Sequence, residues 1–149
     1  MRHKLFSCFF ISISFLNMGF LGKPVIEGLY CGDKESLETS FEEQWNDYPW
    51  IYDKKTGKLY DYDSSSNEIN TLSYDQDGEY IYTYKSKIIK NTLSVTMTET
   101  SPGNAPNLTI FSMDLDKLVA TDYPLENPNL KEVYPCKKLA LPEGVKINY

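Results

Sequence analysis

The sequence predicts an all-β fold, an antiparallel meander of about seven to eight short strands with one short helix near its N-terminus. Three observations carry that expectation. Runs rich in Tyr, Ile, Thr and Val recur between turn residues at intervals of about ten residues. Leu93, Val95 and Met97 alternate strictly with Thr92, Ser94, Thr96 and Thr98, the period of a strand with one face buried and one wet. Aromatic residues make up 14% of the chain, and 12 of its 149 residues are tyrosine, a side chain suited to pleated, half-buried surfaces.

The chain opens on basic Met1-Arg2-His3-Lys4, followed over residues 5–16 by apolar side chains broken only by Ser7, Cys8, Ser12 and Ser14. That is the charged n-region and the h-region of a secretory signal. The run is shorter than the about 20 apolar residues of a spanning helix, and Asn17 interrupts it. Residues 1–22 are therefore read as a cleaved leader, with the cleavage site bracketed by Gly19, Gly22 and Gly28. Residues 23–149 are read as one exported β domain, secreted or periplasmic, long enough for a single modest core.

Leu37, Phe41, Trp45 and Tyr48 recur at helical spacing among Glu35, Glu38, Glu42 and Glu43. This predicts one short amphipathic helix, with Asp33 as its N-cap and Pro49 behind its end. Beyond Pro49 the β pattern begins. Two runs flank Lys54-Lys55-Thr56-Gly57, whose glycine supplies the positive φ of a four-residue hairpin loop, and residues 68–74 and 79–84 flank Asp75-Gln76-Asp77-Gly78. The alternating run over residues 92–100 stops at Ser101-Pro102-Gly103-Asn104-Ala105-Pro106. A last pair surrounds Asp114-Leu115-Asp116-Lys117, and a proline-punctuated tail returns Cys136 toward Cys31. A faint echo at a period near 22 residues repeats an aspartate entering a turn, at Asp53, Asp75 and Asp114. So many short strands must close or cover their edges, which predicts either a small closed barrel or a half-open twisted sheet crossed by the helix.

Composition removes much of the catalytic repertoire. Arg2 and His3 are the chain's sole arginine and histidine, and both lie in the leader. The exported domain then has no imidazole base, no histidine metal ligand and no guanidinium fork, so Ser-His-Asp and Cys-His chemistry, zinc hydrolysis and most phosphoryl transfer lose a required part. Without the leader 13 lysines face 21 acidic residues, which disfavours nucleic acid and anionic membrane as partners. No cofactor signature is present. Cys31 and Cys136 remain in an oxidising compartment and allow one intramolecular disulfide.

Tyr80, Tyr82 and Tyr84 project from one face of a predicted strand, as do Tyr60 and Tyr62 on an earlier one. Such rings beside Asp and Asn suit the flat apolar face of a sugar, and equally the core of a β-sheet. These five tyrosines are the candidate ligand-binding residues. Ser73-Tyr74-Asp75-Gln76-Asp77-Gly78-Glu79 has the spacing of half an EF-hand loop but lacks the leading acid and the bidentate glutamate, so no metal site is assigned. Among 21 acids no spacing singles out a glycosidase pair. Asn107-Leu108-Thr109 is a glycosylation sequon, which counts only in a eukaryotic secretory pathway.

Leu29-Tyr30-Cys31, opening a β domain whose second cysteine lies near the C-terminus, is similar to the start of the periplasmic lysozyme inhibitors of the membrane-bound type. That resemblance implies a small β barrel that blocks an exported enzyme with a loop. The Ser-Gly-rich inhibitory loop of that family has no counterpart here, the nearest segment being Ser64-Ser65-Ser66-Asn67. The expectation from the sequence is a non-catalytic exported protein that binds a small molecule or glycan. An inhibitor or interaction module for another exported protein comes second, and a carboxylate-only glycosidase last.

Overall fold

The computed structural model describes residues 22–149. The predicted leader lies, apart from Gly22, outside the described residues. The described residues form one mostly antiparallel sheet of eleven strands with two short helices, in place of the expected seven or eight strands and one helix.

Strand β1 (Ile26–Cys31) lies in the middle of the sheet and leads through the helices to β2 (Trp50–Asp53), β3 (Leu59–Asp63) and β4 (Glu68–Thr71), which step outward on one side. The chain then crosses to the far edge. There β5 (Tyr74–Asp77), β6 (Tyr80–Ile89), β7 (Thr92–Thr100), β8 (Asn107–Asp114), β9 (Val119–Pro124) and β10 (Glu132–Leu139) step back until β10 pairs with β1. A final short strand, β11 (Lys146–Ile147), adds in parallel to β4.

The sheet is not closed. Its two halves are joined by the chain at Leu72-Ser73, where the Leu72 amide donates to the Leu59 carbonyl at 3.0 Å and the Tyr84 amide donates to the Ser73 carbonyl at 3.2 Å. The outcome is the half-open sheet of the two alternatives. The predicted hairpin over residues 68–84 is corrected in two ways. Its first strand breaks at Leu72-Ser73, and its turn narrows to Gly78-Glu79 between paired Asp77 and Tyr80, with positive φ at Gly78 alone, as a two-residue hairpin loop requires. Asp75, Gln76 and Asp77 thus belong to a ladder, and the segment with EF-hand spacing is a strand.

Two cores result. Leu29, Tyr52, Leu59, Leu93, Val95 and Met113 fill the interior between the halves. Tyr30, Trp45, Ile51, Tyr60, Ile69 and Leu139 form a second core on the other face of β1–β4. Neighbours such as Leu29 and Tyr30, or Ile51 and Tyr52, go to opposite cores, so this half is covered on both faces.

The predicted helix divides into α1 (Lys34–Leu37) and α2 (Phe41–Asn46). Asp33 caps the first as expected. Ser40 starts the second in a capping box: its hydroxyl accepts from the Glu43 amide at 3.2 Å while Glu43 Oε2 accepts from the Ser40 amide at 2.8 Å. Buried Gln44 donates to the Leu37 and Thr39 carbonyls at 3.1 and 2.9 Å, serving backbone groups left open by the break. Of the predicted apolar stripe Trp45 is buried in the second core and Leu37 packs at its edge, whereas Phe41 and Tyr48 are exposed.

β1 and β10 were not foreseen as strands. The tail carrying Cys136 is a full strand that changes partner midway, residues 132–135 pairing with β9 and 136–139 with β1. Pro135, which has no N–H to give, sits at the change. Cys31 and Cys136 are cross-strand neighbours and form the expected disulfide, closing a separation of 105 residues. Among the described residues no helix is long and apolar enough to cross a membrane.

Candidate functional site

Strand alternation decides which side chains reach the interior. On β3, Leu59 and Asp61 share one face while Tyr60 and Tyr62 take the other. Tyr60 is 3% exposed in the second core, with the Lys58 ammonium 5.4 Å from its ring centroid. Tyr62 packs edge-on to Trp45 at 5.1 Å, and its hydroxyl donates to Asn67 Oδ1. Tyr80, Tyr82 and Tyr84 line the opposite, interior face of β6, running from exposed Tyr80 inward to Tyr84 against the first core. The five candidate tyrosines therefore do not form one surface.

Where the halves fail to close, a cleft of about 430 Å³ opens between β2–β3 and β5–β8. Tyr60 and Tyr84 border it; Tyr62, Tyr80 and Tyr82 do not. Its aromatic wall also holds residues that the sequence reading passed over: Tyr48, Trp50, Tyr74 and Phe111. Trp50, the first residue of β2, faces inward and packs on Phe111 with centroids 5.0 Å apart. Tyr48 is 85% exposed and holds a left-handed φ of 51° at the end of the helical segment, a conformation that costs a non-glycine residue about 1–3 kcal/mol.

Two carboxylates complete the lining, Asp61 from β3 and Asp75 from β5. Burial raises the Tyr84 phenol above its ordinary pKa, and the negative charges of Asp75 and Asp61 add to the rise, so acids from both halves of the sheet bear on this hydroxyl. Among the described residues the Trp50 indole N–H and the Tyr84 hydroxyl make no hydrogen bond within the protein, and neither is a fully buried polar atom. They are open to a ligand. The signal that was available for Asp61 is the strand alternation itself, since Tyr60 and Tyr62 on one face put residue 61 on the other, where it stays exposed at the cleft.

The expected turn aspartates divide in the same way. Asp53 is 5% exposed and accepts from the Val25 and Lys55 amides and the Thr56 hydroxyl, and Asp114 accepts from the Asp116 and Lys117 amides. Asp63, absent from the echo, holds the Ser64–Asn67 loop in the same manner through Ser65 and Ser66. Asp75 has no such turn to hold and faces the cleft, its one hydrogen bond accepted from the adjacent Gln76 amide.

A shallower groove of about 490 Å³ runs beside α2, between Phe41, Trp45 and Tyr62. Elsewhere, Asp122 on β9 stands opposite Glu132 on β10, and burial followed by the Glu132 charge raises its pKa; its Oδ1 is the one buried side-chain oxygen without a partner among the described residues. Neither acid lines the cleft. No family model, no curated protein and no solved structure matches the chain.

Proposed function

We propose that the chain is an exported, non-catalytic binding protein whose ligand, a small molecule or a glycan, lies in the cleft between Trp50 and Tyr84. The observation that carries this reading is the pairing of inward aromatic rings with unengaged hydrogen-bonding groups in one cavity of ligand size. The disulfide supports the export part of the reading, because such bonds persist in oxidising compartments. The acid with a raised pKa, Asp122, lies away from the cleft, which weighs against a carboxylate-only glycosidase there.

The test is calorimetric titration with a panel of saccharides and small metabolites, following in parallel the tryptophan fluorescence, of which the Trp50 share is the part lost in Trp50→Ala. Trp50→Ala and Tyr84→Ala are each expected to weaken a ligand about tenfold. A ligand indifferent to both substitutions overturns the assignment. Turnover of a glycan that one Asp or Glu substitution abolishes would put the glycosidase reading in its place.

A second reading, an inhibitor or interaction module for another exported protein, draws on the loop between β7 and β8. Residues 102–106 are exposed, and Asn104 donates to the Ser101 carbonyl and hydroxyl, giving the tip a preformed turn. A partner captured by this loop would tolerate Trp50→Ala and be lost when residues 102–105 are replaced.

A further inference from the structure

Resting on the cleft reading, we infer that the ligand is an organic cation, a small molecule whose quaternary or protonated ammonium group lies among Trp50, Phe111 and Tyr84 with Asp61 and Asp75 at its edge. The cleft is negative from two independent sources. Ring faces carry the negative side of the aromatic quadrupole, and the two carboxylates add full charge of the same sign.

Among the described residues one ammonium bears on the cleft wall, that of Lys58 at 5.4 Å from the centroid of Tyr60, and it makes no ion pair with either acid. No lysine lines the cleft, and among the described residues the ion pairs use Glu27, Asp114 and Glu68, leaving Asp61 and Asp75 without a cationic partner. Lysines on the nearest strand, Lys85 and Lys87, alternate with Tyr84 and point away from the interior. The negative rim also continues past the cleft, where Tyr82 stands between Asp75 on β5 and Glu99 on β7. Both acids raise its phenol pKa, after burial.

This arrangement favours one ligand class. A neutral sugar seated on the rings can donate hydroxyls to the two exposed carboxylates but leaves their charge unneutralised. An anion meets repulsion, and the domain offers no arginine to reverse it. An ammonium group offsets part of the charge of the two acids, while its alkyl substituents bury against Met97 and Leu72. The sulfur of Met97 and the Trp50 indole add polarisable contacts suited to a soft, weakly hydrated cation.

The experiment is calorimetric titration of the disulfide-bonded protein with choline, with its uncharged carbon isostere 3,3-dimethylbutan-1-ol, with phosphocholine, and with a set of neutral disaccharides. Choline is expected to bind at millimolar concentration or tighter, with the isostere at least tenfold weaker. Phosphocholine should also be weaker, because Asp61 and Asp75 repel its phosphate, which separates a free amine from a lipid headgroup as the source. Asp61→Asn combined with Asp75→Asn should lower choline affinity at least tenfold and leave the isostere unchanged, and circular dichroism of the double variant verifies its fold. Isostere or disaccharide binding as tight as choline's overturns the cation inference and leaves the cleft reading standing. Absence of binding by every probe, with the tryptophan fluorescence unmoved, overturns both. Phosphocholine tighter than choline overturns the free-amine form in favour of a headgroup.

Discussion

A Cβ on Gly57 would stand 2.7 Å from the amide nitrogen of Ile88. The β2–β3 hairpin tip therefore rests directly on the backbone of β6, a strand from the other half of the sheet. Gly57 also has a φ of +77°, so two constraints meet at one residue.

Gly57→Ala is expected to lower stability by more than the about 1–3 kcal/mol of left-handed strain alone, because backbone atoms of Lys87 and Ile88 must also move. Gly103 provides the comparison, with a φ of +79° and open space around it. Gly103→Ala should show the strain component only. Urea denaturation of the two variants checks the difference, and equal losses would mean that the hairpin tip does not bear on β6.

The cross-strand disulfide joins residues 105 apart in sequence. In the chain-entropy model a loop of that length contributes about 4 to 5 kcal/mol, native strain subtracting from the figure. The double substitution Cys31→Ser, Cys136→Ser should lower the unfolding free energy by several kcal/mol, up to about that bound, without altering the far-ultraviolet spectrum at low temperature. A loss under about 1 kcal/mol would mean that the unfolded chain is already held compact.

Asp53 ties Val25, Lys55 and Thr56 together, and although burial opposes its charge, those hydrogen bonds leave its pKa below the usual value. Its stabilising effect is present above the unfolded carboxylate value of about 3.9 and is lost as pH falls through the folded one. Asp53→Ala should cost about 1–3 kcal/mol at pH 7, with the gap from the parent narrowing in acid. Thermal melts across pH 2–7 measure it.

Asp122 carries the opposite sign. Burial and the facing Glu132 raise its pKa, so any stability linked to its protonation is full below the unfolded value and lost as pH rises through the folded one. Asp122→Asn removes a like-charge pair and should stabilise the protein by about 0.2–1 kcal/mol at pH 7. The gain should vanish near pH 3. A destabilised variant at neutral pH would show that the Asp122 charge has a favourable partner.

Periodicity and turn chemistry made much of the fold legible in advance. The all-β class, the Gly57 hairpin, the alternating Thr92–Thr100 strand and the Asp33 cap follow from local patterns, and the Cys31 to Cys136 bridge from there being two cysteines outside the leader. Strands β1 and β10 were hidden for a local reason as well: Gly28 and Pro135 lie inside them and normally argue against a strand. At Gly28 a Cβ would crowd Leu139 Cβ at 3.2 Å and the Trp45 ring at 3.3 Å, and Pro135 lies where the strand changes partner.

The sequence by itself determined the alternation of the strands it revealed, and thereby that Tyr80, Tyr82 and Tyr84 share one face and Tyr60 and Tyr62 another. Which of those faces is wet, buried or a cleft is not a property of any one strand. It depends on partners tens of residues away. Covering β1–β4 with α2 and the C-terminal segment buried Tyr60 and half-buried Tyr62, while the break at Leu72-Ser73 opened the interior beside Trp50 and left Asp61 and Asp75 exposed at the edge of the cleft. Tertiary structure alone decided the site, because a cleft is a space between elements and only long-range pairing sets where the sheet fails to close.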